Sequence, residues 1–203
     1  METKILVLGR DDNATVLNSC KSALEMTSGF ILIPTETVYG LACLWSNETA
    51  KNCIYQAKAR PEHKPFQMLA DSPEMVKKYG CVIDSRIEKI MNTFCPGPIT
   101  IVAPACDGSK IGFRIPEHKF VLDLISYIRK PLAASSANVS GEMPALNIED
   151  ALSSIKMQPA LAIDGGHLPE SSLSSTVIEV MESGIRVLRE GPITLSAILK
   201  VLE

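Results

Sequence analysis

Residues 58–65 read KARPEHKP. Lys58 and Arg60 flank one alanine, and Pro61 follows at once. On a continuous helix two residues so spaced lie about 200° apart and face opposite ways. Proline disfavours helical geometry at the residue before it. A helix that stops at Lys58 and leaves Arg60 in an extended exit lets both heads turn into one pocket. Two converging cations suit phosphate or carboxylate oxygens. The plainer alternative is favourable positive charge at a helix C-terminus.

Other polar stretches stand beside apolar runs. In PTETVYG (34–40) the hydroxyls of Thr35, Thr37 and Tyr39 share one side if the segment is extended, because strand side chains alternate. An ordinary strand with a wet face gives the same pattern. PLAASSANVSG (131–141) runs from apolar residues into small ones, with Ser136 and Asn138 among them. Such a segment can present N–H groups, hydroxyls and an amide to an anion or a base. The alternative is a plain Ser/Asn/Gly turn. SSLSST (171–176) precedes a further apolar run, and REGP (189–192) follows the next. The ends of strands are where open α/β sheets place ligands. The nucleotide signatures GxxxxGK[ST] and GxGxxG are missing, as is the GxSxG elbow.

The elements that position these stretches follow from pattern. Asn13 is expected to cap a helix to about residue 28, closed by Gly29. FILIP (30–34) and TVYGLAC (37–43) read as strands. Asn47 caps a helix through Lys58, with Ala50, Ile54 and Ala57 at helical spacing. PFQMLA (65–70) reads as a strand, Ser72-Pro73 and Asp84 open helices, and Pro96-Gly97-Pro98 forms a corner before ITIVA (99–103). IGFRI (111–115), PLAAS (131–135), ALAID (160–164), STVIEV (175–180) and GIRVL (184–188) are further strands. Helices are expected over 117–127, from Asn147, and from Thr194. Hairpins mixed with βα units predict one α/β domain over 1–203, with a mixed sheet covered by helices.

With 203 residues, 46% of them apolar and 21% charged, the chain is long and apolar enough to bury a core without staples. A net charge of −3 argues against general adhesion to nucleic acid, so an anion site must be built locally. No apolar run approaches the roughly 20 residues of a membrane span, and the first residues lack a signal-peptide core. A cytoplasmic location is expected. The six cysteines show no CxxC pair and read as free thiols. His63, His118 and His167 lack metal-ligand spacing, so no protein-built metal site is expected.

PTETVYGLAC, KARP with the later KP, FCPGPITIV, GFRIP, SSANVSG, DGG (164–166), SSTVIEV and LREG follow one another in the order found in YrdC-type threonylcarbamoyl-AMP synthases. The chain resembles that family over roughly residues 14–193, in its short, single-domain form. The resemblance implies a YrdC/RibB-like fold: a twisted mixed β-sheet with helices on its faces and a large concave, positively charged cavity. It also implies a reaction. L-threonine, bicarbonate or CO2, and ATP give L-threonylcarbamoyl-adenylate and pyrophosphate. A downstream threonylcarbamoyl transferase would pass the group to tRNA, and tRNA itself is a further candidate partner. Mg²⁺ is expected to be bound mainly through the ATP phosphates.

The matched motifs imply roles. Lys58 and Arg60 would be the catalytic cations, Lys58 on the phosphates and Arg60 also on the threonine carboxylate. Thr35, Tyr39, Thr100 and Ser175 would line the threonine pocket. Ser136, Asn138, Ser175 and Arg189 would hold the nucleotide, and Arg114 would add to the cavity's charge. Ser174 stands where many relatives have glutamate, Leu69 near a frequent histidine, and Glu190 in place of a proline. These departures leave the contacts around 174 and 190 open. Other readings stay open too. One is a module that binds tRNA or double-stranded RNA without chemistry. Another is a carbamoyl-adenylate-forming module of a maturation factor.

Overall fold

A computed structural model of the chain describes residues 3–59, 64–139 and 142–203. Among the described residues, ten strands form one mixed sheet in the order β1-β8-β2-β3-β7-β4-β6-β5-β9-β10. The strands are β1 (Lys4–Val7), β2 (Ile31–Ile33), β3 (Gly40–Leu44), β4 (Gln67–Leu69), β5 (Ile99–Pro104), β6 (Lys110–Arg114), β7 (Leu132–Ser136), β8 (Leu161–Asp164), β9 (Thr176–Met181) and β10 (Gly184–Arg189). The sheet combines parallel pairs (β1/β8, β2/β8, β4/β6, β5/β9) with antiparallel ones (β2/β3, β3/β7, β4/β7, β5/β6, β9/β10). The expected α/β class and mixed sheet are therefore present. Among the described residues no helix is long and apolar enough to cross a membrane.

The helices are α1 (Asn13–Leu24), α2 (Glu48–Ala57), α3 (Pro73–Lys78), α4 (Ser85–Phe94), α5 (Lys119–Ile128), α6 (Ile148–Ser153) and α7 (Leu195–Leu202). Most begin at a side-chain cap, which satisfies an otherwise orphaned N–H. Asn47 accepts from Ala50 N, Asp84 from Ile87 N, and Thr194 from Ala197 N. Period-2 alternation then sorts the strands onto two faces. Ile31 and Ile33 pack with α1 and α5. Leu32 between them packs with α2 and α6. Further along the sheet, Ile99, Ile101, Phe113 and Ile178 pack with α4 and α7. The intervening residues Thr100, Val102, Gly112 and Val177 face the other way.

Three expectations are corrected. Asp12, not Asn13, caps α1, accepting from Thr15 N at 3.0 Å. That helix ends at Leu24, and Gly29 lies beyond it for a different reason: a Cβ there would sit 1.9 Å from Ala23 O. The strand expected over 37–43 begins only at Gly40. Residues 34–39 form a turn, because Thr35 Oγ1 accepts from the N–H groups of Thr37 and Val38 and draws the backbone out of extension. Strand β1 was not anticipated, since exposed Lys4 and Ile5 blur its alternation.

Candidate active site

Helix α2 ends where the sequence required. Lys58 is its C-cap, and Ala59 follows in the left-handed region at φ 47°. A residue with a Cβ pays about 1 kcal/mol or more there, and glycine is the usual occupant. The turn aims Lys58 inward, and its side chain is 1% exposed. Its ammonium donates to Ser135 Oγ at 2.7 Å and to the carbonyl of Ser136. The strand end of β7 therefore holds the cation in place. Arg60 lies outside the described residues.

Lys58 lines a cavity of about 650 Å³ with Lys64, Ser136, Asn138, Glu142, Ser174 and Arg189. Among the described residues, three basic side chains around one carboxylate make this an anion-favouring hollow in a chain of net negative charge. Asn138 donates through Nδ2 to the carbonyls of Val139 and Glu142 at 2.9 and 2.8 Å. Its Oδ1 is buried without a partner among the described residues. A buried acceptor left unmade is costly, and a ligand donor would satisfy it.

A second cavity of about 230 Å³ adjoins the first, sharing Ser136, Val177, Leu188 and Arg189. Its floor is a row across the sheet. Ala134 pairs with Gln67, Gln67 with Gly112, and Gly112 with Val102. On β5, two residues before Val102, Thr100 pairs with Val177, and Val177 with Arg189. Here the hydrogen bonds have one direction. Arg189 Nη2 donates to Ser175 Oγ at 3.0 Å, Ser175 and Thr100 hydroxyls lie 2.9 Å apart, and Thr100 donates to Gln67 Oε1 at 2.8 Å. Arginine only donates and the amide oxygen only accepts, so Ser175 donates to Thr100.

A polar knot lies beside these cavities, built by the resemblance's other residues. Arg114 is 2% exposed. Its Nη2 pairs with Glu36 Oε1 at 2.6 Å, its Nη1 donates to Thr37 Oγ1 at 3.0 Å, and its Nε to Gly97 O at 3.2 Å. Thr37 in turn bonds Thr35 Oγ1 at 2.9 Å, which donates to Val38 O at 2.7 Å. Tyr39 donates to Gly166 O at 2.7 Å and accepts from Gly165 N at 3.0 Å. Burial, the largest cause, pushes its hydroxyl up to about 12. Thr35, Tyr39 and Arg114 are not among the residues lining either cavity. The charge of Arg114 faces Glu36.

Lys58, Ser136, Asn138 and Arg189 are thus brought together, with Thr100 and Ser175 joined through Arg189. Sequence reasoning missed Ser135, Gln67, Lys64 and Glu142. Gln67 had a signal, since it is the polar residue in the apolar run PFQMLA. Ser135 had none, because only the meeting of the C-terminal end of α2 with the end of β7 gives it Lys58 as a partner. The cysteines are all free, and burial raises the thiols of Cys20 and Cys43 to about 12.

Comparison with known proteins places this geometry. The sequence model of the Sua5/YciO/YrdC family, described as Telomere recombination, matches residues 26–191. A mouse protein named threonylcarbamoyl-AMP synthase is 34% identical over 175 residues, covering 79% of this chain and 61% of its own length. One of the same name from Yersinia enterocolitica is 33% identical over 184 residues, covering 82% of this chain and 94% of its own. The structure of Pyrococcus abyssi Sua5 complexed with L-threonine superposes with a TM-score of 0.87 at 28% identity, covering 100% of this chain and 61% of that one. The chain therefore spans about three fifths of the first relatives it matches. With a family match across most of the sequence and a matching fold in a solved relative, the chain belongs to the Sua5/YciO/YrdC family.

Proposed function

We propose that the chain makes L-threonylcarbamoyl-adenylate from L-threonine, bicarbonate or CO2, and ATP, releasing pyrophosphate. The observation that carries this reading is the convergence of Lys58, Ser136, Asn138 and Arg189 on one hollow. The names of the relatives, and the L-threonine bound in the Pyrococcus abyssi protein, support the substrate class. Threonine's amine would take up CO2 and lose a proton to give a carbamate. A carbamate oxygen would then attack the α-phosphorus as the bond to the β-phosphate oxygen breaks. Such chemistry needs charge neutralised and atoms held in line, not a covalent nucleophile. Lys58 is pre-positioned by Ser135 and Ser136 for that work. Arg189 sits across the same cavity.

Among the described residues no group of three or more acids, histidines or cysteines could hold a metal. The donor set suits phosphate oxygens, so Mg²⁺ would arrive on the triphosphate and neutralise part of its charge. The product would pass to a threonylcarbamoyl transferase for tRNA modification in the cytoplasm. The test is pyrophosphate release with ATP, omitting threonine and bicarbonate in turn. Release that needs both supports the reading. Release independent of either, or salt-sensitive RNA binding with no release, removes it.

A further inference from the structure

Arg189 ends β10 and lines both cavities. The chain then runs through Gly191 to the cap of α7. No side chain fits at Gly191. A Cβ would lie 2.4 Å from Thr176 N, 2.5 Å from Ser174 O and 2.8 Å from Ser175 C. All three are backbone atoms, so no rotamer change relieves the contact. Its φ is not in the left-handed region, so close approach alone demands glycine. On one side of it, Thr176 Oγ1 donates to Ile193 O at 2.8 Å and accepts from Ile193 N at 3.0 Å. On the other, Arg189 Nε donates to Ser175 O and Nη2 to Ser175 Oγ, both at 3.0 Å. The 189–193 segment is thus fastened to 174–176 at both ends, with Gly191 setting the separation between them.

We propose that Gly191 and Thr176 are positioning residues that fix the Arg189 guanidinium against the cavity and thereby set affinity for the triphosphate nucleotide. The proposal rests on the nucleotide reading given above. A methyl group at 191 forces the two backbones apart by about 1 Å, the scale at which misplacement costs about 10²-fold. The planar guanidinium fork is directional and tolerates such a shift poorly. Neither residue touches the ligand under this proposal. Both act through Arg189.

The test is calorimetric affinity for ATP across a double-mutant cycle of Arg189→Ala and Gly191→Ala. Each single variant is expected to weaken ATP about 10-fold or more, and the double variant to add nothing further. Thr176→Val keeps the shape but removes both bonds to Ile193. It should weaken ATP, and Thr176→Ser should restore it. If Gly191→Ala does not fold, the Thr176 pair decides alone. Additive losses, or unchanged ATP affinity in Gly191→Ala or Thr176→Val, would overturn the proposal. If Arg189→Ala leaves ATP affinity unchanged, the nucleotide reading falls and the proposal with it. If Arg189→Ala weakens ATP while Gly191→Ala and Thr176→Val do not, only the proposal falls.

Discussion

The ammonium of Lys58 lies 2.7 Å from the hydroxyl of Ser135, a residue 77 positions away in the chain. That contact joins the end of α2 to the end of β7 and aims a buried cation at the hollow. Replacing Lys58 with methionine keeps the stem and removes the charge. Turnover should fall at least about 10²-fold, by comparison with loss of a single oxyanion donor. The thermal midpoint should fall only modestly, since the Ser136 carbonyl and Ser135 hydroxyl lose one donor. Pyrophosphate release near the wild-type rate removes the assignment.

Thr100 passes a hydrogen bond from Ser175 to Gln67. Thr100→Val preserves volume but leaves Gln67 Oε1 and Ser175 without that partner. A loss of about 1–3 kcal/mol in stability is expected, and Thr100→Ser should recover most of it. Urea titration of the three proteins checks this.

Gly112 lies on the floor of the smaller cavity, and a Cβ there meets Val102 Cγ2 at an ordinary 3.5 Å. Gly112→Leu should therefore fold, yet fill part of a space of about 230 Å³. Ligand affinity should drop at least about 10-fold while the circular dichroism spectrum stays unchanged. Undiminished affinity for both ATP and threonine would show that neither ligand uses this floor.

Buried Arg114 pairs with the partly buried Glu36. Arg114→Ala strands Glu36, whose Oε2 already lacks a hydrogen-bond partner among the described residues. Removing one partner of a fully buried pair costs about 3–5 kcal/mol, and the partial exposure of Glu36 puts the loss below that range. The double change Arg114→Met with Glu36→Gln should recover much of that, read from the denaturant midpoint.

His118 sits beside the same pair. Burial lowers its imidazole below the ordinary 6.5, Glu36 pulls it back up, and Arg114 lowers it further. A histidine depressed in the folded state binds its proton more readily when unfolded. Its contribution is therefore fully present above the ordinary value and is lost as pH falls from there through the lower folded value. His118→Gln should flatten the stability profile below about pH 6.5 relative to the wild type. Parallel profiles for the two proteins would discard this origin.

The break at Lys58 was legible because Pro61 forbids continuation, and the α2 cap was legible because asparagine precedes an amphipathic run. The strands with β-branched residues were legible for the same local reasons. The turn at 34–39 was not, since alternating hydroxyls look the same in a strand and in a turn closed by Thr35. Arg114 could be read as a cation but not as one already matched, because Glu36 reaches it only through the sheet. Motif order pointed to the family. The two one-way hydrogen-bond chains, each starting at an arginine, required coordinates.

The row Ala134, Gln67, Gly112, Val102 draws each member from a different strand. Any fragment that ends before residue 175 lacks Ser175 and Arg189, and one that begins after β4 lacks Lys58 and Gln67. No autonomous subunit of the chain can carry the hollow. Occupancy and completion of the sheet are consequently coupled by mass action, so a saturating ligand should slow protease nicking along the whole sequence and not merely near the cleft.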